Sequence, residues 1–220
     1  MKIFHGVLRS GNFGTTRLEA FSDGVFAIVI TLLILEVRMP SLHALAAPGA
    51  DLSAELWKSL LELGPKILSY ILSFAYVSIY WVNHHQLFHI IQRSDRGLFW
   101  CNSLFLMLLA FIPFPTALLG EYSHEYVAVI FYGVAMMLTA MSFLLMKWYA
   151  VDIGRLVKPH IEADVLRKSV LKVWAGPVLY MLAIAVSFMS TTAAIMIYWI
   201  IPVIYFFPTK LEHDEAEAKR

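Results

Sequence analysis

Cysteine is nearly absent from this 220-residue chain, with Cys101 the sole example. One thiol in an apolar stretch excludes an internal disulfide, and with it a disulfide-built extracellular module. Charge is also scarce, at 15% of residues and a net value of +1, so nothing indicates a nucleic-acid partner or an acidic substrate. No phosphate-binding glycine loop, nucleophile–base–acid set or catalytic carboxylate pair occurs, and the chain does not read as an enzyme. The N-terminal MKIFHGVLRSGNFGTTR holds no apolar core ahead of a small-residue cleavage site. No cleavable signal peptide is expected, and the first apolar helix should be retained.

What is present is hydrophobicity, at 60% of residues with a mean hydropathy of +0.69. Soluble domains run nearer half apolar and a quarter charged. The apolar residues also cluster in runs of the length a bilayer core of about 30 Å requires of a helix. Six such runs are expected: Leu18 to Val37, Leu60 to Phe88, Leu98 to Leu118, Tyr126 to Trp148, Val170 to Met189, and Thr192 to Phe207. The last two are separated by a few residues around Ser190 and should form a tight antiparallel hairpin.

Lys and Arg are retained on the cytoplasmic side. With the N-terminus inside, Lys2, Arg9, Arg17, Arg93, Arg96, Lys147, Arg155, Lys158, Arg167, Lys168, Lys172, Lys210, Lys219 and Arg220 are cytoplasmic, and only Arg38, Lys58 and Lys66 are external. Both termini are therefore expected inside. Residues 39–55 read as an external loop with a short surface helix near Leu52 to Lys58, and residues 152–172 as a basic cytoplasmic linker. The fold class is all-α integral membrane protein, with residues 1–208 as one six-helix membrane domain and 209–220 as a charged tail. No internal repeat is evident.

The first span is unusual for its polarity. Only 12 uncharged residues separate Asp23 from Glu36, a rise of about 18 Å. Ionisable groups at membrane depth face a protein interior or a water-filled path, so this helix is not a lipid-facing anchor. At about 100° per residue, Ile28, Leu32 and Leu35 form a narrow stripe with Thr31 beside it, and Asp23 lies roughly 140° around from Ile28. Helical spacing alone leaves two readings of that stripe, ordinary packing or the wall of a pore.

The stretch RLEAFSDGVFAIVITLLILE resembles the signature of the transmembrane protein 175 family of potassium channels at Arg17, Phe21, Ser22, Asp23, Ala27, Thr31 and Leu35. The WVNHH of Trp81 to His85 is similar to a second family feature. The resemblance implies a channel in which the first helix of each repeat surrounds the pore. It places Ile28 at the narrowest ring, Leu32 and Leu35 as further apolar layers, and Thr31 as a hydroxyl layer. It also implies a structural polar network of Arg17, Phe21, Ser22, Asp23, His84 and His85. No TVGYG-like segment occurs, so the usual ring of filter carbonyls is not available. One six-span copy resembles the prokaryotic type, a homotetramer in a bacterial plasma (inner) membrane that needs no cofactor, with potassium as the permeant ion.

Other constellations compete. His85 and His89 are four apart and could share a helix face as metal ligands, but HHQLFH lacks the zinc-protease Glu. One pair also leaves a metal short of ligands, so no metal site is assigned; His84 or His85 is expected to bond the Ser22–Asp23 region instead. Glu19 reads as a solvated mouth residue. The six tryptophans fall mostly near span ends, as interface anchors do, and Pro113, Pro115, Pro177, Pro202 and Pro208 mark kinks. A secondary transporter or a proton-leak pathway is the alternative function; the missing repeat weighs against the transporter.

Overall fold

A computed structural model describes residues 14–38, 51–159 and 163–206, with residues 163–173 and 206 described by their backbone only. Lys2, Arg9, the tail 209–220 and most of the expected external loop lie outside the described residues. Eight α-helices are described: α1 Thr15–Leu35, α2 Leu52–Glu62, α3 Gly64–Ile90, α4 Arg96–Phe111, α5 Pro113–Glu121, α6 Tyr126–Trp148, α7 Ala163–Ser187 and α8 Thr191–Phe206. A π-helical turn, Tyr149–Ile153, closes α6. Among the described residues the only β-pairing is an isolated antiparallel bridge between Ile91 and Val157.

Local chemistry sets the helix ends. Asp51 caps α2 by accepting from Ser53 N at 3.0 Å, and Asp95 caps α4 by accepting from Leu98 N at 2.9 Å, each satisfying a donor that has no intrahelical partner. The expected second span begins later than its apolar run, because Gly64 and Pro65 start a new helix. Proline is accommodated in a first turn, where its missing N–H costs nothing. The result is a 41° bend between α2 and α3. The expected third span is divided at Ile112, since Pro113 and Pro115 deprive the backbone ladder of two donors. Pro177 and Pro202 instead lie inside α7 and α8, which continue through them.

Among the described residues, three stretches are long and apolar enough to cross a membrane: Thr15–Leu35, Arg96–Glu121 and Tyr126–Ile153. The bent pair α2–α3 makes a fourth, and Trp174–Ser187 and Thr191–Tyr205 are shorter apolar helices. Helices α1 and α3 run antiparallel, and α7 and α8 form the expected hairpin around Ser190, whose hydroxyl accepts from Ala193 N at 3.2 Å.

α1 packs on α3, α4 and α5, whereas α7 and α8 pack on α6 and α3. Helix association in lipid depends on close packing and interhelical hydrogen bonds, since lipid tails are as apolar as leucine. Both are present. At Gly120 a Cβ would come within 2.7 Å of Ser69 Oγ and 2.9 Å of Lys66 Cα, so glycine lets α5 press against α3. The bundle interior holds Tyr76, Tyr132, Tyr180 and Tyr198, all buried. Tyr76 Oη donates to Tyr198 O at 2.7 Å, and Tyr198 Oη donates to Val129 O at 3.0 Å. Thr116 Oγ1 lies 2.7 Å from Ser73 Oγ, which in turn lies 3.1 Å from Tyr132 Oη.

Candidate pore-lining helix

α1 is a two-faced helix. Leu18, Ser22, Phe26, Val29 and Leu33 are buried, a spacing of three and four that holds one side of the helix against the bundle. The opposite side has no cover in the subunit: Phe21 is 56% exposed, Ile28 59%, Leu32 41% and Leu35 67%. Gly24, between Phe21 and Ile28 on that side, has nothing within 4 Å of where a Cβ would stand. Thr31 is exposed as well, and its hydroxyl lies 2.8 Å from Ile28 O and 3.1 Å from Ala27 O. Its one proton is thereby held by the helix's own carbonyls, and an oxygen lone pair is left for the outside.

Near its N-terminal end α1 is tied to its neighbours by two polar chains. The buried chain has one polarity. Because the Asn102 carbonyl oxygen can only accept, His84 Nε2 donates to Asn102 Oδ1 at 2.9 Å. Asn102 Nδ2 donates to Ser22 Oγ at 2.9 Å, and Ser22 Oγ donates to Leu18 O at 2.8 Å. The His84 ring is stacked on Phe88 at 4.4 Å between centroids, with Phe26 edge-on at 5.5 Å. His84 Nδ1 is buried and has no hydrogen-bond partner among the described residues.

The second chain lies at the surface. Trp81 Nε1 donates to Asp23 Oδ1 at 3.0 Å, the Trp81 and His85 rings stack at 5.8 Å, and His85 Nδ1 meets Glu19 Oε1 at 3.1 Å. Asp23 thus turns toward α3, away from the Ile28 stripe. Arg17 and Phe21 are exposed and take no place in either chain within the subunit. Glu19, read from sequence as a solvated mouth residue, is instead bound to a neighbouring helix. His84 and His85 serve different partners, and Lys158 Nζ donates to the His89 carbonyl at 2.8 Å.

Sequence reasoning did not single out Asn102, and it read Trp81 as an interface anchor and as the first residue of the WVNHH feature without pairing it with Asp23. A signal for Asn102 existed, because a lone asparagine inside an apolar helix is costly unless another helix supplies its partners.

An all-helical, multi-pass membrane protein with a first helix polar at its base and bare on one apolar face is the class these observations define. A family model described as endosomal/lysosomal potassium channel TMEM175 matches residues 17–113. A potassium channel of Streptomyces collinus is 36% identical over 195 residues, covering 87% of this chain and 91% of that protein. A potassium channel of Chamaesiphon minutus is 38% identical over 195 residues, covering 87% and 93%. The crystal structure of a lysosomal potassium-selective channel TMEM175 homolog from Chamaesiphon minutus matches with a TM-score of 0.75 at 36% identity, over 87% of this chain and 95% of that one. The chain belongs to the TMEM175 family, whose matching bacterial members are named as channels rather than enzymes.

Proposed function

We propose that this chain is one subunit of a homotetrameric potassium channel of the bacterial inner membrane, conducting passively along an axis surrounded by four copies of α1. The observation that carries the reading is the uncovered face of α1: Phe21, Gly24, Ile28, Leu32 and Leu35 are bare while the other side of the same helix is packed. The apolar face alone would suit lipid, but Glu19 and Asp23 on the same helix and Glu36 at its end are ionisable groups that favour a protein interior or a water-filled path, which a symmetric axis supplies. Six spans with both termini cytoplasmic accord with the distribution of Lys and Arg.

In this reading Ile28 forms the narrowest ring, Leu32 and Leu35 add apolar layers, and Thr31 offers a hydroxyl oxygen between them. An aliphatic ring blocks ions by dewetting when narrow and passes them when it widens. Dehydration then favours potassium over the more strongly hydrated sodium. The Ser22–Asn102–His84 and Asp23–Trp81 chains hold α1 at a fixed rotation, so that the stripe faces the axis.

The test is bilayer recording of Ile28→Asn. A polar ring at the constriction should raise conductance and lower the preference for potassium over sodium; unchanged currents would remove Ile28 from the pore. Reversal potentials under opposed potassium and proton gradients separate this reading from a proton leak. Flux that saturates and requires a coupled ion would identify a transporter.

A further inference from the structure

The connection from α3 to α4 and the segment that follows α6 are joined backbone to backbone. Gln92 N donates to Leu156 O at 2.8 Å, Lys158 N donates to Ile90 O at 3.0 Å, and Ile91 stands opposite Val157 in an antiparallel bridge. The next step of that register sets Arg93 opposite Arg155, and both are exposed. Like charges directly across an antiparallel pair repel one another.

The backbone adds a second strain at the same place. Among the described residues other than glycine, Arg155 alone has a positive φ, of 47°, a conformation that a side chain disfavours and glycine adopts freely. Gly154 beside it does not take up that strain. Its own φ is −74°, and a Cβ on it would come within 2.9 Å of Leu156 Cγ. The turn thus carries an arginine where its backbone favours glycine, across from another arginine.

Among the described residues nothing offsets this charge, since no ion pair includes Arg93, Arg96, Arg155 or Lys158. Of the nearby carboxylates, Asp95 caps α4 and accepts from Tyr149, and Asp152 is exposed and in no ion pair. Lys158 Nζ donates to the His89 carbonyl at 2.8 Å. That bond holds the ammonium at the junction and leaves its other N–H groups for an outside acceptor.

The place of the cluster in the fold restricts the anion. Arg96 opens and Ile153 closes two of the stretches apolar enough to cross a membrane, so these cations stand where the helices leave the apolar layer. Trp100, one turn into α4 from Arg96 on the same face, is 64% exposed, and Ile153 is exposed as well. Tryptophan is enriched at the level of the lipid headgroups. Unpaired arginines, whose planar fork matches a phosphate, therefore lie at the same helix ends as bare apolar groups. A ligand with a phosphate at one end and hydrocarbon at the other meets both.

We propose that Arg93 and Arg155, with Arg96 and Lys158 at the same helix ends, bind the phosphate of an anionic phospholipid headgroup in the adjoining leaflet. Retention of Lys and Arg on the cytoplasmic side explains basic residues here in general. It does not explain two arginines set against each other at a strained turn, which a bound phosphate does. The site is independent of whether α1 lines a pore, so its test and the test of conduction fail separately.

The experiment titrates the full-length protein in neutral detergent with phosphatidylglycerol, phosphatidylcholine or inorganic phosphate, and reads native mass spectra and melting temperature. Phosphatidylglycerol should bind and raise the melting temperature, and the other two should do neither at the same concentration. Arg93→Gln and Arg155→Gln should each weaken phosphatidylglycerol binding by about tenfold, the effect of losing one charge-assisted contact. Lys58→Gln, on α2 at the opposite end of α3, should not. Arg155→Gly relieves the positive φ, so it should melt no lower than the parent without lipid and yet lose the rise with phosphatidylglycerol. Equal binding of phosphatidylcholine or undiminished binding in the arginine variants would overturn the proposal. Equal stabilisation by inorganic phosphate would also overturn it, by showing a site for a free anion rather than for a lipid.

Discussion

Ser22 on α1 and Asn102 on α4 are joined side chain to side chain at 2.9 Å, both fully buried. The bond lies between the Asn102–His84 bond on one side and the Ser22–Leu18 bond on the other, so each member is satisfied only while the next remains in place. A buried polar group deprived of its partner costs about 1–3 kcal/mol. Asn102→Leu should therefore destabilise the protein by that order, because it orphans His84 Nε2 and withdraws a donor from Ser22. The variant's melting temperature in detergent should fall. Converting the chain to apolar residues together (Ser22→Ala, His84→Phe, Asn102→Leu) should recover part of the loss, since complete removal of a network costs less than breaking it.

The two faces of α1 should separate stability from conduction. Leu33 is fully buried, and its truncation to Ala should cost about 2–5 kcal/mol through the cavity left behind. Ile28→Ala, on the uncovered face, should leave the melting temperature of the subunit nearly unchanged while altering single-channel current. A large thermal effect at Ile28 with unaltered current would mean that this face packs against protein rather than lining a water-filled axis.

Much of this architecture is legible in the chain because membrane helices must satisfy their backbone internally and so advertise themselves as apolar runs. The helical spacing of α1 also distinguishes Ile28 from Asp23 without any tertiary knowledge. The exact partners of the polar residues are not legible. Asn102 lies in LFWCNSLFL, and nothing local says that Ser22, 80 positions away, accepts from it. Trp81 near a span end looks like an interface anchor, and Glu19 looks solvated, until α3 is laid antiparallel against α1. The break at Ile112 falls where Pro113 and Pro115 mark a kink, and the bend before α3 carries a comparable signal in Gly64–Pro65. Their angles depend on packing.

Gly97 is a position where a methyl group should be prohibitive. A Cβ there would overlap the ring of Tyr149, whose hydroxyl donates to Asp95 Oδ2 at 3.0 Å while the same carboxylate caps α4. Gly97→Ala should displace Tyr149, uncap α4 and sharply lower the yield of folded protein measured by size exclusion. Combining it with Tyr149→Ala should restore folding in part, because the overlap is removed even though the bond to Asp95 is lost.

Trp81→Phe should isolate the role of the indole N–H. Phenylalanine can keep the stack on His85 but withdraws the donor at 3.0 Å from Asp23 Oδ1. Asp23→Asn, which preserves an acceptor for Trp81, should be the milder change. If the bond fixes the rotation of α1, Trp81→Phe lowers both the assembled fraction by light scattering and the potassium preference, and Asp23→Asn lowers them less. Equal and negligible effects would assign Asp23 to simple solvation.

Thr31 gives the sharpest test of what faces the axis. Its proton is held by carbonyls of α1, so removing the hydroxyl deletes an outward oxygen without orphaning any neighbour. Thr31→Val keeps the β-branched shape, and the melting temperature and oligomeric state should not move. Potassium conductance should fall by up to about tenfold, the rate change that about 1.4 kcal/mol of barrier produces. Thr31→Ser, which restores the oxygen, should recover conductance. Full conductance in the valine variant would show that permeating ions do not meet this hydroxyl. The passage would then be lined by the apolar residues alone, and selectivity would have to arise from the width of the Ile28 ring.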